Sequence, residues 1–149
     1  MINEDCFSWR ALVIIILAMI PNIIYFKMLP NDIPESLGSR IKLIDNLENI
    51  SRIISFILLL FLSKRINANL KSNWVIGMFI FLLLYFILWG RYFYGGASYS
   101  LLCKSFLGIP MPMAIFPVCY FICAAFWLDC FPAVIALLVF GICHICSLL

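Results

Sequence analysis

Long apolar stretches separated by short polar breaks run through the whole chain, and their lengths suit helices rather than strands. A helix that crosses a ~30 Å hydrocarbon layer needs about 20 mostly apolar residues, each adding 1.5 Å. Residues 11–29 form the first such stretch, interrupted by Pro21-Asn22. Pro30, Asn31, Asp32, Pro34, Glu35 and Gly38 then make a polar turn. A second helix is predicted over 41–62, amphipathic at first and apolar from Ile53 onward except for Ser55. Ser63-Lys64-Arg65-Ile66-Asn67-Ala68-Asn69 is a polar loop, and 74–90 is the clearest span.

The segment from Arg91 to Pro112 mixes Tyr92, Tyr94, Gly95, Gly96, Tyr99 and Lys104 with apolar residues, which suits a segment lying at an interface. Residues 113–128, broken by Pro117, and residues 133–149 give the fourth and fifth spans, with a shallow hairpin as the alternative for these two. The expected fold is an all-α integral membrane bundle of about five transmembrane helices, a single transmembrane domain over residues 1–149. Trp9, Trp74, Trp89 and Trp127 all fall at predicted span ends, where an indole satisfies both its apolar ring and its N–H.

Composition agrees with this pattern. The chain has 149 residues, 66% hydrophobic and 11% charged, with a mean hydropathy of +1.13. Soluble domains run near 45–50% apolar and about 25% charged, and roughly 150 residues enclose too small a core to hide such an excess. Ten Lys/Arg against seven Asp/Glu give a formal charge of +3. No basic run or stripe suggests nucleic acid. The acidic start, Met1-Ile2-Asn3-Glu4-Asp5, and the lack of a small-residue cleavage site predict that the first apolar stretch is retained as a span. With five spans, Arg10, Lys64, Arg65 and Lys71 share one side and Lys27, Arg40, Lys42, Arg91 and Lys104 the other, so positive charge does not fix the orientation.

The candidate chemistry is sparse. Asp45, Glu48, Asn49, Arg52 and Ser55 form one polar stripe on the second helix, with Glu48 and Arg52 in the favourable i,i+4 order for an ion pair. A charge at mid-bilayer costs about 2.5–3.5 kcal/mol on insertion scales and must face protein or water. The stripe is therefore either a polar site on the inner face of the bundle or a headgroup-level segment with Arg52 snorkelling. Pro21 frees a helix carbonyl, and the Asn22 amide beside it suits an interhelical contact or a kinked ligand pocket. Arg91 stands at a span end, where anchoring suffices, and Pro110, Pro112 and Pro117 make the approach to the fourth span irregular.

Cys119 and Cys123 share a helix face, and Cys143-His144-Ile145-Cys146 is a C-x-x-C motif. With Cys103 on the same side, Cys143 and Cys146 are candidates for thiol–disulfide exchange; the competing reading is small apolar filling. The motif lacks a further ligand at a recognisable spacing, so no metal site is expected. His144 is a candidate proton carrier or an ordinary hydrogen-bonding histidine. No Gly-rich phosphate loop, nucleophile elbow or His-Glu-x-x-His occurs, and neither catalytic residues nor a cofactor are predicted.

Ile20-Pro21-Asn22-Ile23-Ile24, Leu47-Glu48 with Arg52, Trp89 with Arg91-Tyr92-Phe93, the run Pro110 to Pro117, and Phe140-Gly141 with His144-Ile145 follow one another along most of the chain. In that order they resemble an uncharacterised family of small multi-pass integral membrane proteins from Gram-positive bacteria. The chain departs from that pattern at Ser51 and Ser55, where the family carries glycine around the arginine. The resemblance implies a bacterial cell membrane location, transfers no activity, and draws attention to Asn22, Glu48, Arg52, Arg91 and His144. The leading functional expectation is a non-enzymatic component that associates with another membrane protein or with itself, or protects the bilayer. The alternatives are a permease or channel-like component using Asn22, Glu48 and Arg52, and a membrane thiol–disulfide oxidoreductase.

Overall fold

The structure, a computed structural model, describes residues 7–30, 32, 42–64 and 68–148. The acidic start, most of the polar turn between 31 and 38, Arg40, and Arg65 to Asn67 lie outside the described residues. Among the described residues the fold is all-helical, with α1 (Trp9–Tyr25), α2 (Lys42–Phe61), α3 (Asn73–Tyr94), α4 (Tyr99–Cys103), α5 (Pro112–Trp127) and α6 (Phe131–Leu148).

Local chemistry explains the helix limits. Ser8 caps α1 by accepting from the Ala11 N–H at 3.3 Å, and Ser72 caps α3 by accepting from the Trp74 N–H at 3.3 Å. Both satisfy donors that the first helical turn leaves free. α1 ends at Tyr25, four residues short of the apolar stretch in the sequence. α3 runs on past Trp89 to Tyr94 and stops at Gly95-Gly96, where Gly96 takes φ +90°. Pro112 opens α5, a position where its missing N–H costs nothing. Between α5 and α6 the chain reverses over Leu128 to Cys130, with Asp129 at φ 54°, a left-handed conformation that aspartate tolerates.

Two sets of contacts define the ends of the bundle. At one end the Ser8 N–H donates to Leu60 O at 2.8 Å and the Lys64 N–H to Leu128 O at 3.1 Å. There Arg10 also donates to Ala68 O, and Trp127 Nε1 donates to Asn69 O at 2.9 Å. At the other end the Tyr92 hydroxyl donates to Met28 O at 2.9 Å and the Tyr99 N–H to Asp32 Oδ1 at 2.7 Å. α1, α3 and α6 thus run one way and α2 and α5 the other. α2 packs mainly on α6, α3 mainly on α5, and α5 also on α6, with α1 lying across α2, α3 and α5.

α5 is the central element: Phe116, Tyr120, Phe121, Ala124 and Ala125 are all buried, as are most of its other residues. Small residues permit the close approach. A Cβ on Gly141 would stand 2.8 Å from Val118 Cγ1, and one on Gly77 would stand 3.2 Å from Cys123 Sγ. The exterior is apolar as well, with Ile16 and Ile23 of α1, Ile50, Ile53 and Ile57 of α2, Ile76, Phe79 and Leu83 of α3, and Ile135 and Ile142 of α6 exposed. α3 is long and apolar enough to cross a membrane, while α1, α5 and α6 are apolar and shorter.

Trp89 does not sit at a helix end. It is 6% exposed and packs against Tyr25, Tyr85, Tyr92 and Phe93. The extra turn of α3 carries it inward, because the helix continues through Gly90 to a stop signal five residues farther on. Trp127 is buried too, whereas Trp9 and Trp74 are exposed.

Candidate functional site

α2 turns Glu48, Ser51, Ser55 and Leu59 inward, the spacing of one helix face. Ser51 donates to Leu47 O at 2.7 Å and Ser55 to Ser51 O at 2.7 Å, so both hydroxyls are satisfied within the helix while their small size lets α6 come close. Across that contact His144 Nδ1 lies 3.0 Å from Glu48 Oε1. Arg52 Nη2 reaches the same carboxylate oxygen at 3.2 Å and also donates to Asn49 Oδ1. Its guanidinium stands 5.6 Å from the ring centre of Phe140, and Phe140 stacks on His144 with ring centres 5.4 Å apart. One carboxylate thus faces a guanidinium and an imidazole, and Phe140 lies against both.

A second polar pair faces this one from α1 and α3. Asn22 Nδ2 donates to the Tyr85 hydroxyl at 3.0 Å and to Ala18 O, one turn back in its own helix, at 3.1 Å. The proline before it leaves α1 short of one backbone N–H, and the amide supplies polar contacts at the same level. Trp89 Nε1 sits beside the Tyr85 hydroxyl, yet it is buried without a hydrogen bond of normal geometry.

Two cavities meet at this cluster. One of about 50 Å³ is bounded by Asn22, Arg52, Phe56, Tyr85, Phe140 and His144 among others. The other, about 160 Å³, is bounded by Asn22, Tyr25, Tyr85, Trp89, Met113 and His144 among others. Asn22, Tyr85 and His144 line both. The arrangement can hold a small polar solute next to an imidazole and an amide.

Of the residues singled out in the sequence, Asn22, Glu48, Arg52 and His144 come together here, and Asn49 joins through Arg52. Arg91 belongs elsewhere. It donates to Ser105 O, Leu101 O and Lys104 O at 3.3, 3.3 and 2.9 Å and lies over Phe106, fastening α4 and the following loop to α3. Its role is thus internal stapling of a folded end, because the Leu101 carbonyl in α4 and the two carbonyls just after that helix need a donor.

The cysteines do not join the cluster. Cys143 and Cys146 lie in the last turns of α6, where a helix offers carbonyl oxygens rather than N–H donors. Cys103 closes α4 beside Tyr99, whose hydroxyl is pushed up to about 12 by burial, with Cys103 adding to the rise. Cys130, in the turn before α6, donates to Leu58 O at 3.4 Å, and burial pushes its thiol up. All six described cysteines are free thiols. Among the described residues, no three His, Cys, Asp or Glu gather as metal ligands.

Tyr85, Trp89 and Phe140 were not singled out as site residues. Tyr85 carried a usable signal, since a phenol in the middle of an apolar helix needs a partner for its hydroxyl. Phe140 entered only as part of the Phe140-Gly141 stretch of the resemblance, with nothing to mark it among 14 phenylalanines as a site residue. No family model matches the chain, and neither a curated protein nor a solved structure matches it.

Proposed function

We propose that the chain is a multi-pass protein of a bacterial cell membrane, with five crossing helices, whose interior polar cluster is a small-solute site of permease or channel type. Three features support the membrane reading. The outer faces of α1, α2, α3 and α6 expose large aliphatic side chains, which lipid would cover. Residues 11–26, 72–90, 105–128 and 130–149 contain no charged side chain. Within α2, Glu48 faces α6 rather than outward, while Asp45 near the helix start is exposed, as a low-dielectric surrounding of the later turns demands. The bacterial location rests on the family resemblance of the sequence.

The observation that carries the functional reading is that His144, 3.0 Å from Glu48, itself lines two cavities together with Asn22 and Tyr85. A purely structural ion pair has no need of adjoining space. Partner association, the leading expectation from the sequence, remains compatible with this site. Five helices are few for a permeation path, so the reading implies self-association or a second membrane protein.

The test is solute entry into proteoliposomes, followed by stopped-flow light scattering after challenge with glycerol, urea and sodium propionate. At least one solute should equilibrate faster than in protein-free vesicles, and Glu48→Gln or Asn22→Leu should slow it severalfold. If folded protein leaves every rate at the protein-free value, the permease reading fails. A flux that both variants leave unchanged would equally remove this cluster from it.

A further inference from the structure

The bond between Asn22 and Tyr85 leaves one acceptor and one donor unused on a cavity wall. Ala18 O can only accept, so it fixes the orientation of the Asn22 amide: Nδ2 faces that carbonyl and the Tyr85 oxygen, and both its N–H groups are spent. Asn22 Oδ1 then accepts no hydrogen bond among the described residues. The Tyr85 oxygen has the Asn22 amide nitrogen at 3.0 Å and Trp89 Nε1 beside it, and neither nitrogen can accept. The phenol must therefore turn its own O–H elsewhere, where no acceptor takes it among the described residues. Trp89 Nε1 is fully enclosed, so it backs the phenol rather than reaching a ligand. Asn22 and Tyr85 themselves line both cavities.

The wall around this pair offers no fixed charge to a solute. No Asp, Glu, Lys or Arg stands among the described residues that bound the 160 Å³ cavity, and Leu102, Met113 and Ala114 give it an apolar side. His144, on the same wall, is engaged by Glu48 at 3.0 Å. Of the two cavities Arg52 borders the one of 50 Å³, and it is committed to Glu48 and Asn49. An ion placed in the larger space would lose its water with no counter-charge beside it. A neutral group with a donor next to an acceptor avoids that cost, giving an N–H to Asn22 Oδ1 and taking the Tyr85 O–H. A primary amide carries both on one planar head. The 160 Å³, about five liquid waters, leaves room for a short alkyl tail against the apolar side.

We propose that the larger cavity binds a small neutral carboxamide, its N–H donating to Asn22 Oδ1, its carbonyl accepting from Tyr85 Oη, and its alkyl chain lying toward Leu102, Met113 and Ala114. The inference rests on the small-solute reading above and names its substrate class. Binding changes no covalent bond.

The test uses the full chain in lipid nanodiscs and three ligands of one shape. These are propionamide, butanone, in which a methyl replaces the amide nitrogen, and propionate, in which a charged oxygen replaces it. Saturation-transfer NMR titrations against empty nanodiscs read the affinities. Propionamide should bind saturably, butanone about threefold to tenfold more weakly for want of the N–H, and propionate more weakly still. Tyr85→Phe, which keeps the ring and removes the donor, should weaken propionamide by a similar factor while circular dichroism stays unchanged. Asn22→Leu should weaken propionamide severalfold and leave butanone nearly unchanged, whereas a general loosening of the bundle would weaken both alike. Absence of saturable propionamide binding, butanone or propionate binding as tightly as the amide, or equal losses of amide and ketone in Asn22→Leu each overturns the proposal. If the amide fails while a solute in the flux panel still responds to Glu48→Gln or Asn22→Leu, the substrate class alone falls. If no solute in that panel responds either, both readings fall.

Discussion

The Asn22 amide on α1 donates to the Tyr85 hydroxyl on α3 at 3.0 Å, joining two helices whose partners are 63 residues apart in sequence. One turn along α1, Tyr25 packs on Trp89 and Tyr92 of α3, so the bond and these rings together fix where the two helices meet. Interhelical hydrogen bonds of this kind are worth about 0.6–2 kcal/mol in membrane bundles. Tyr85→Phe is therefore expected to cost about 1 kcal/mol, and Asn22→Leu a similar amount. The double variant should cost less than the sum. Unfolding in mixed micelles across the double-mutant cycle measures the coupling; strictly additive losses would mean that the bond holds nothing together.

The Glu48 carboxylate is the common partner of Arg52 and His144. Removing it leaves a guanidinium that is only one-third exposed without its counter-ion. Glu48→Leu should destabilise by about 1–3 kcal/mol, the lower end being favoured because water still reaches Arg52. Glu48→Leu with Arg52→Leu should recover part of that loss, since no charge is then stranded. Thermal unfolding of the three variants in one detergent decides it. A double variant less stable than the single one would show that the charges support packing in some other way.

How far the site could be read in the sequence differs from residue to residue. Asn22 stood out because proline and a free amide are costly together in an apolar helix, and Glu48 with Arg52 because i,i+4 spacing pairs them on one face. The meeting of Glu48 with His144, 96 positions later, depends on α6 packing on α2, which no local pattern encodes. The third helix runs farther than its predicted span, 74–90, for a related reason. The polar Gly90-Arg91 pair resembles a span end, yet Arg91 finds its acceptors on α4 and lets α3 continue. The helical character of the chain was legible throughout, because apolar runs of this length have no alternative as strands.

At Gly141 α6 comes close to α5, and a methyl there would meet Val118 Cγ1 at 2.8 Å. Alanine raises helix propensity by about 1 kcal/mol over glycine, but overpacking costs about 1–3 kcal/mol. A helical valine is held to one rotamer and cannot swing aside. Gly141→Ala should therefore be neutral to destabilising alone, and stabilising when Val118→Ala makes room. Equal effects of Gly141→Ala in both backgrounds, measured by thermal unfolding, would contradict the close approach.

Thiol accessibility checks the course of the helices. Cys146 is exposed and lies at the end of the bundle to which α3 delivers Arg91 and α4. Cys130 is 1% exposed at the opposite end. In sealed right-side-out vesicles of defined orientation, Cys103 and Cys146 should react with an impermeant maleimide from the same side. Cys130 should react only after unfolding. Burial raises its thiol, so what little reaction occurs should speed up as pH rises toward the shifted value, where more thiolate forms. Labelling of Cys103 and Cys146 from opposite sides would break the five-crossing reading.

The length of α5 has a consequence for how such a bundle fits its solvent. Its 16 residues extend about 24 Å, less than the ~30 Å thickness of a typical hydrocarbon layer. A helix that short would thin the bilayer or tilt if lipid touched it directly. Protein ensheathes α5 on nearly every side, so in the membrane reading proposed above its neighbours, rather than lipid, would take up the mismatch. On that reading, bilayer thickness would act on the outer helices. Lipids of longer or shorter chain should tilt α3 within its 22-residue length while the centre of the bundle keeps its own dimensions.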